Sequence, residues 1–243
     1  MAAHQRKFAV ITGASQGIGR AFALALGRRG GHVLLGARHT EALEAVAEEV
    51  AHAGGEALTR HLDLTDAQSI GAFTEFIGDR LPRLDLLINC AGAYARGGIE
   101  ELTGERFDAL YQTNVRGPLV LTQALLPALK ASRGDIVFMN SSAIFGSGAG
   151  VGGYASTRHA LKGLTDALRS EVNADGVRVL SVYPGRTNTP LQEAIFAAEG
   201  RDYDPARLLQ PEDVVSTVLH CIDLPETAEV TELQIRPRLN HRR

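Results

Sequence analysis

The sequence predicts an α/β fold, a doubly wound parallel sheet of about seven strands with helices on both faces, in one domain spanning residues 1–243. Three observations predict it. Short β-like apolar runs alternate with helix-period segments from end to end, which is the pattern of strands joined by helical crossovers. A glycine-rich turn joins the first such run to the first helical segment. Six of the runs end in polar or glycine residues, and parallel strands would gather those ends on one edge.

The first strand is read at Phe8–Thr12, on the apolar run Phe8-Ala9-Val10-Ile11. The turn Thr12-Gly13-Ala14-Ser15-Gln16-Gly17-Ile18-Gly19 follows, and a helical pattern runs from Arg20 to Arg29. After the strand His32–Gly36, Leu43, Val46, Ala47 and Val50 recur at i, i+3, i+4 and i+7, so one helix face is apolar. Its other face carries Glu41, Glu44, Glu48 and Glu49 as solvated charges. A strand at Glu56–Leu62 precedes a helix with Ile70, Phe73 and Ile77 on one face, which Leu81-Pro82 ends. The next strand is Asp85–Asn89. Glu105 to Lys130 is helical in pattern, and Gly117 with Pro118 predicts a bend just after Asn114. Strands at Gly134–Asn140, Val177–Tyr183 and Val230–Ile235 complete the sheet.

Composition narrows the function. An apolar fraction of 44% supports a core, and a net charge of −3 makes no electrostatic case for nucleic acid or a membrane surface as partner. Arg236, Arg238, Arg242 and Arg243 read as a solvated basic tail over 236–243. Cys90 and Cys221 cannot make a disulfide framework, the eight histidines show no metal-ligand spacing, and no leader or long apolar run is evident, so the cytoplasm is the expected address and no metal is expected.

The carboxyl edge of such a sheet is where a ligand crevice opens. Thr12 and Gly13, Ala37 and Arg38, Asp63, Asn89 to Gly92, Ser141, and Pro184 to Thr189 all fall there. Gly13 allows a tight turn, Gly17 lets backbone approach a ligand, Gly19 permits close helix–strand packing, and the helix N-terminus beyond them suits a pyrophosphate. The spacing G-x-x-x-G-x-G differs from the G-x-G-x-x-G dinucleotide fingerprint. Ala37 stands where an acid would meet a ribose 2′-hydroxyl, and Arg38 beside it can pair with a 2′-phosphate, which favours NADP(H) over NAD(H). Asp63 suits an adenine amino group or an N-cap-like role before Thr65-Asp66. Tyr154 and Arg158, one helical turn apart, leave the same face.

With these residues in view, the chain resembles the short-chain dehydrogenase/reductase family. The matching features are the Thr12–Gly19 turn, Asn89-Cys90-Ala91-Gly92 for the family's Asn-Asn-Ala-Gly, Asn114, Ser141 with Tyr154, and Tyr183-Pro184-Gly185 with Thr187 and Thr189. The likeness runs in order along nearly the whole chain. It implies a Rossmann-type fold and hydride transfer between a nicotinamide and a carbonyl or carbinol carbon. It further implies a cofactor set of Gly13, Ser15, Gln16, Gly17, Ile18, Gly19, Arg38, Asp63, Leu64, Asn89, Ala91, Gly92, Tyr154, Arg158, Pro184, Gly185, Thr187 and Thr189. The catalytic group would be Ser141, Tyr154, Arg158 and Asn114, with Ser141 orienting the substrate oxygen and Tyr154 exchanging the proton. Ser141 lies thirteen positions before Tyr154, as in the family, and Ser142 is the alternative.

Two positions depart from the family. Cys90 replaces an asparagine, and a small buried thiol there is expected to be inert. Arg158 replaces the family lysine, which assists the tyrosine and hydrogen-bonds the nicotinamide ribose. Arginine keeps the charge but does not release a proton, so the electrostatic role is expected to survive and a proton relay through Asn114 is not. The expectation is a working reductase of reduced rate. A cofactor-binding sensor or scaffold without redox chemistry, and a non-redox catalyst, stay open as alternatives. His159 points away from the site by its helical phase.

Residues 187–210 match the family's substrate-covering region, and an ordinary surface helix over Pro190 to Gln210 is the other reading. Tyr94, Ile144, Phe145, Arg186 and Phe196 are pocket candidates, with Arg186 either meeting an anion or making a surface salt bridge. The partner is a small carbonyl or alcohol substrate, and the resemblance implies a homodimer or homotetramer.

Overall fold

The computed structural model describes residues 7–80 and 83–239. Leu81-Pro82, expected to end a helix, and Arg242 and Arg243 of the basic tail lie outside the described residues.

The strands are β1 (Phe8–Thr12), β2 (His32–Ala37), β3 (Glu56–His61), β4 (Leu86–Asn89), β5 (Asp135–Met139), β6 (Arg178–Pro184) and β7 (Glu232–Ile235). They pair in parallel in the order β3-β2-β1-β4-β5-β6-β7. Each expected strand is present, with ends shifted by a residue or two. The helices are α1 (Gly17–Gly27), α2 (Thr40–His52), α3 (Ala67–Arg80), α4 (Gly104–Tyr111), α5 (Gly117–Ser132), α6 (Gly152–Val172), α7 (Pro190–Ala198) and α8 (Pro211–Ile222).

The period of two along the central strands feeds two cores. Ala9 and Ile11 of β1, with Leu86 and Ile88 of β4, face the layer of α1, α2 and α8. Val10 and Leu87 face the opposite layer, where Phe73, Leu121, Leu125 and Leu161 pack from α3, α5 and α6. Burial of each such branched or aromatic side chain contributes about 1.5–3 kcal/mol, so the sheet centre is the rigid part of the molecule. Both edges are blunted by polar residues: Arg60 and His61 of β3 and Glu232 of β7 are exposed. Strand order reverses between β1 and β4, which places the crevice above the carboxyl ends of those two strands.

The break in the long helical stretch differs from expectation. A π-helical turn occupies Gln112–Arg116, so the distortion surrounds Asn114 and does not follow it, and the Gly117 N–H bonds Gln112 O across it. Pro118 carries no N–H to continue the ordinary ladder. Gly117 is required for packing, because a Cβ there would lie 2.6 Å from Leu64 Cβ. Among the described residues, no helix is long and apolar enough to cross a membrane.

Candidate active site

The end of the crevice at the Gly13–Gly19 turn is made of backbone. Gly13 and Gly17 take φ of +64° and +56°, a conformation that side-chain-bearing residues adopt at a cost. A Cβ on Gly13 would also lie 2.8 Å from the Ala91 backbone, and one on Gly19 would overlap the Gly13 carbonyl. The N-cap of α1, Gln16, is extended and makes no side-chain cap, and no acid stands in the first turn. The first N–H groups of α1, with Ser15, Gln16 and Ile18 around them, are thus left to an anion. Thr189 closes this end: its methyl would sit 3.1 Å from a Cβ on Gly17, and its hydroxyl accepts from Gln192 N to cap α7. Thr187 is buried and donates to Gly185 O.

Arg38, at the end of β2, is exposed and makes no hydrogen bond or ion pair among the described residues. The Asp63 carboxylate accepts from the Thr65 N–H and hydroxyl, both at 2.8 Å, so the cap role is occupied. Burial pushes the Asp63 carboxyl up, but the Thr65 bonds and the charge of Arg38 outweigh it and hold it below the usual carboxylate range. Leu64 is buried under Gly117, which commits its side chain to the core.

The loop after β4 is fastened from beneath. Thr12 Oγ1 accepts from Cys90 N at 3.0 Å and Ala91 N at 3.1 Å. Asn89 Nδ2 donates to Thr122 Oγ1 at 3.3 Å, while Asn89 Oδ1 is buried without a partner. Burial pushes the Cys90 thiol up to about 12 against the opposing charge of Arg158, so a thiolate is not on hand near neutrality.

At the other end, Ser141 follows β5, Tyr154 and Arg158 stand on α6, and Arg158 reaches Asn114. Asn140 holds this junction: its Oδ1 accepts from Ser141 N at 2.9 Å, and its Nδ2 donates to Arg158 O at 3.1 Å. Ser141 Oγ accepts from Ala143 N at 3.1 Å, leaving its own proton to give. The Tyr154 ring lies edge-on to Tyr94 at 5.0 Å, and the Arg158 guanidinium sits 4.9 Å from its centroid.

Arg158 is held inward. Its Nη1 donates to Met139 O at 3.2 Å and its Nη2 to Asn114 Oδ1 at 3.3 Å, while Nε is buried without a partner. It runs beneath Gly92, where a Cβ would meet Nη2 at 2.5 Å. Asn114 is fully buried and four-way bonded: Oδ1 accepts from Ala93 N and Arg158, and Nδ2 donates to Ala93 O and Thr157 Oγ1. The asparagine therefore clamps the β4 loop to α6. His159 Nδ1 meets Ala155 O on the exposed side.

The pocket candidates divide. Tyr94 adjoins Tyr154. Ile144 is half-buried, and Phe145 is exposed with its ring against Tyr183. Tyr183 is itself buried and its hydroxyl donates to Glu232, away from Ser141. Phe196 is 1% exposed and packs against Tyr203 and two arginines, so it faces the interior of the covering segment. Arg186 forms a salt bridge with Glu199 at 2.9 Å. The basic tail begins by packing on Gly185, which donates to Ile235 O.

Sequence reasoning passed over Thr12, Thr122, Asn140 and Thr157 as side chains that fasten the site. Their signal was weak but present. Each is a polar residue at the end of an apolar run or one turn from a named site residue.

A family model described as short chain dehydrogenase matches residues 7–200. Glycine betaine reductase ATRR of Emericella nidulans is 33% identical over 237 residues, 96% of this chain, and the chain spans 19% of that protein's length. An alcohol dehydrogenase from the archaeon Thermococcus sibiricus, solved with 5-hydroxy-NADP, superposes with a TM-score of 0.88 at 30% identity, covering 98% of this chain and 100% of that one. A metagenomic short-chain oxidoreductase in complex with NADP gives 0.83 at 31%, covering 96% and 98%.

Proposed function

Because the chain belongs to the short-chain dehydrogenase family, we propose that it is an NADP(H)-dependent oxidoreductase interconverting a carbonyl and an alcohol on a small organic substrate. The observation that carries the reading is the shared edge. The uncapped N-terminus of α1, Arg38 without an acid at Ala37, and the Ser141–Tyr154 pair all lie at the carboxyl ends of one parallel sheet. The turn suits the cofactor, since Gly13 and Gly17 hold φ of +64° and +56° ahead of a helix N-terminus that has no side-chain cap and no acid in its first turn. NADP in the two solved relatives supports the same cofactor here.

Arg38 would hold the 2′-phosphate, the Gly13–Gly19 turn the pyrophosphate, and Thr187 and Thr189 the nicotinamide side. The bound cofactor supplies the hydride. Ser141 donates its proton to the substrate oxygen and fixes its position, and Tyr154 gives or takes the proton there. Arg158 acts on Tyr154 as a fixed positive charge under the ring. With its Nη groups on Met139 O and Asn114, it serves as an electrostatic support and not as a proton carrier. Asn114, with both amide atoms engaged by protein, positions Arg158 and the Ala93 backbone.

That commitment of Arg158 to protein partners favours a second reading, a protein that binds NADP(H) without turning it over. A loss of NADPH absorbance across a panel of ketones and aldehydes separates the two. Tyr154→Phe is expected to lower the rate by about a thousandfold while retaining NADPH binding. Full turnover in that variant would remove Tyr154 as the acid. Binding without any turnover in the natural chain would select the second reading. Family membership also supports a homodimer or homotetramer, which light scattering would decide.

A further inference from the structure

Three arginines from three segments converge on one buried carboxylate beside the crevice. Glu199, 9% exposed, accepts from Arg96 Nη1 at 3.3 Å, Arg186 Nη2 at 2.9 Å and Arg201 Nη1 at 3.2 Å. Arg186 and Arg201 also stack on Phe196, with guanidinium carbons 4.6 and 5.2 Å from its centroid. Arg186 Nη1 is buried with no hydrogen-bond partner among the described residues. No other carboxylate among the described residues pairs with any of the three. Three permanent cations against one anion leave an excess of two positive charges.

The position of the cluster matters as much as its charge. Arg96 lies two residues past Tyr94, whose ring adjoins Tyr154. The Gly97 N–H bonds Gly150 O, and the Arg96 stem runs past Gly150, four residues ahead of Tyr154. Arg186 directly follows Gly185, and Arg201 follows α7 in the covering segment. The cluster thus joins the loops after β4, β5 and β6 on the Tyr154 side, apart from the Gly13–Gly19 turn. Pinning these loops to Glu199 would need one arginine or two. The third guanidinium and the unpaired Nη1 are surplus to that task, and the three side chains remain between 30% and 41% open to solvent.

We propose that Arg96, Arg186 and Arg201, organised by Glu199 and Phe196, recognise a carboxylate on the substrate, so that the preferred substrates are oxo acids and the corresponding hydroxy acids. Arginine forks match a carboxylate in two parallel bonds, and none of the three forks is used up in that way on Glu199: Arg186 meets both its oxygens through Nη2 alone, at 3.1 and 2.9 Å, and Arg96 and Arg201 each through Nη1. This inference rests on the oxidoreductase reading of Tyr154 and specifies what that site accepts.

The test compares acids with their neutral esters: pyruvate with methyl pyruvate, acetoacetate with ethyl acetoacetate, and levulinate with methyl levulinate, each with NADPH. In at least one pair the acid should exceed its ester in kcat/KM by about 10–100-fold, through KM, which is the worth of one charge-assisted contact. Arg96→Gln, at the most open of the three arginines, should bring that ratio towards one, and Arg201→Gln should do the same. Esters equal to or better than their acids in every pair would overturn the proposal while the oxidoreductase reading stands. So would an equal fall for acid and ester in both variants, which marks a structural role, or a loss confined to NADPH affinity, which assigns the arginines to a cofactor phosphate. If no pair is turned over, calorimetry of the same compounds on the NADPH-saturated protein decides the proposal, and the wider panel of ketones and aldehydes decides the oxidoreductase reading. Acid binding lost in Arg96→Gln upholds the anion site, and no acid binding rejects it.

Discussion

At the Gly13–Gly19 end of the crevice a helix begins with no side-chain cap and no acid in its first turn, whereas at the Tyr154 end the polar side chains are bonded largely to one another. The first end needs special backbone angles and room, so its requirements fall on glycine. The second needs a network of long-range contacts: Asn114 reaches Ala93 and Thr157, Arg158 reaches Met139, and Asn140 reaches Arg158. On the proposed function, affinity for cofactor and rate of chemistry rest on different kinds of structure and are separable by substitution.

On cofactor affinity the largest effect is expected from Gly13→Ala. The residue sits at φ +64°, and its Cβ would lie 2.8 Å from the Ala91 backbone, so the turn or the β4 loop has to move. Withdrawing roughly two amides from the phosphates weakens NADPH binding by about 100-fold. The strain lowers stability by about 1–3 kcal/mol. Fluorescence titration of NADPH with a parallel thermal melt measures both. Unchanged affinity in a folded variant would mean that this turn is not the cradle.

Arg38→Ala sharpens the contrast within the cofactor end. Arg38 makes no hydrogen bond or ion pair among the described residues, so its removal should cost NADPH about 10–50-fold in Kd and NADH less than about twofold. Equal losses for the two cofactors would move the 2′-phosphate elsewhere.

Arg158→Lys probes the opposite end. A lysine has no planar fork to bridge Met139 O and Asn114 Oδ1 at once, and its ammonium is shorter and rotatable. If Arg158 limits the reaction by being held inward, kcat should rise by about 3–10-fold with a smaller change in KM for NADPH. A fall in kcat, with the pH profile unchanged, would show that the arginine is the better support for Tyr154 in this surrounding.

These two ends also differ in how far the sequence reveals them. The seven strands, the layer order and the glycine turn were all legible, because each follows from apolar period and backbone conformation, which are properties of short segments. The break near Asn114 was legible as an event but misplaced. Gly117 and Pro118 announce it, while the π-helical turn is set by how Asn114 must face Ala93 and how close Gly117 must lie to Leu64. The direction of Arg158 was not legible. Four residues from Tyr154 it shares a helix face, yet whether it turns to the crevice or beneath Gly92 depends on partners contributed by β5 and the π-helical turn. Arg186 was legible singly, as a candidate for an anion or a salt bridge, but its convergence with Arg96 and Arg201 on Glu199 was hidden for the same reason, the three being spread over more than a hundred positions of sequence.

The smallest effect tests the boundary between the two ends, where Cys90 lies between the Thr12 clamp and Arg158. Burial holds its proton to about 12 although Arg158 pulls the other way. Cys90 should therefore resist a thiol reagent near neutral pH, and the reaction should accelerate only on unfolding. The sign of the linked stability follows from the same shift. The unfolded thiol ionises in the ordinary thiol range and the folded one does not, so stability is complete below that range and declines as pH rises from it towards 12. Between neutrality and about pH 10 the decline attributable to this group is about 2 kcal/mol. Urea melts of the natural chain and of Cys90→Ala across that interval isolate it, since the alanine variant keeps every other titration and loses this one. A slope identical in the two proteins would show that the thiol is not buried as described. It would also show that the loop carrying Asn89, Ala91 and Gly92 opens more readily than its Thr12 hydrogen bonds imply.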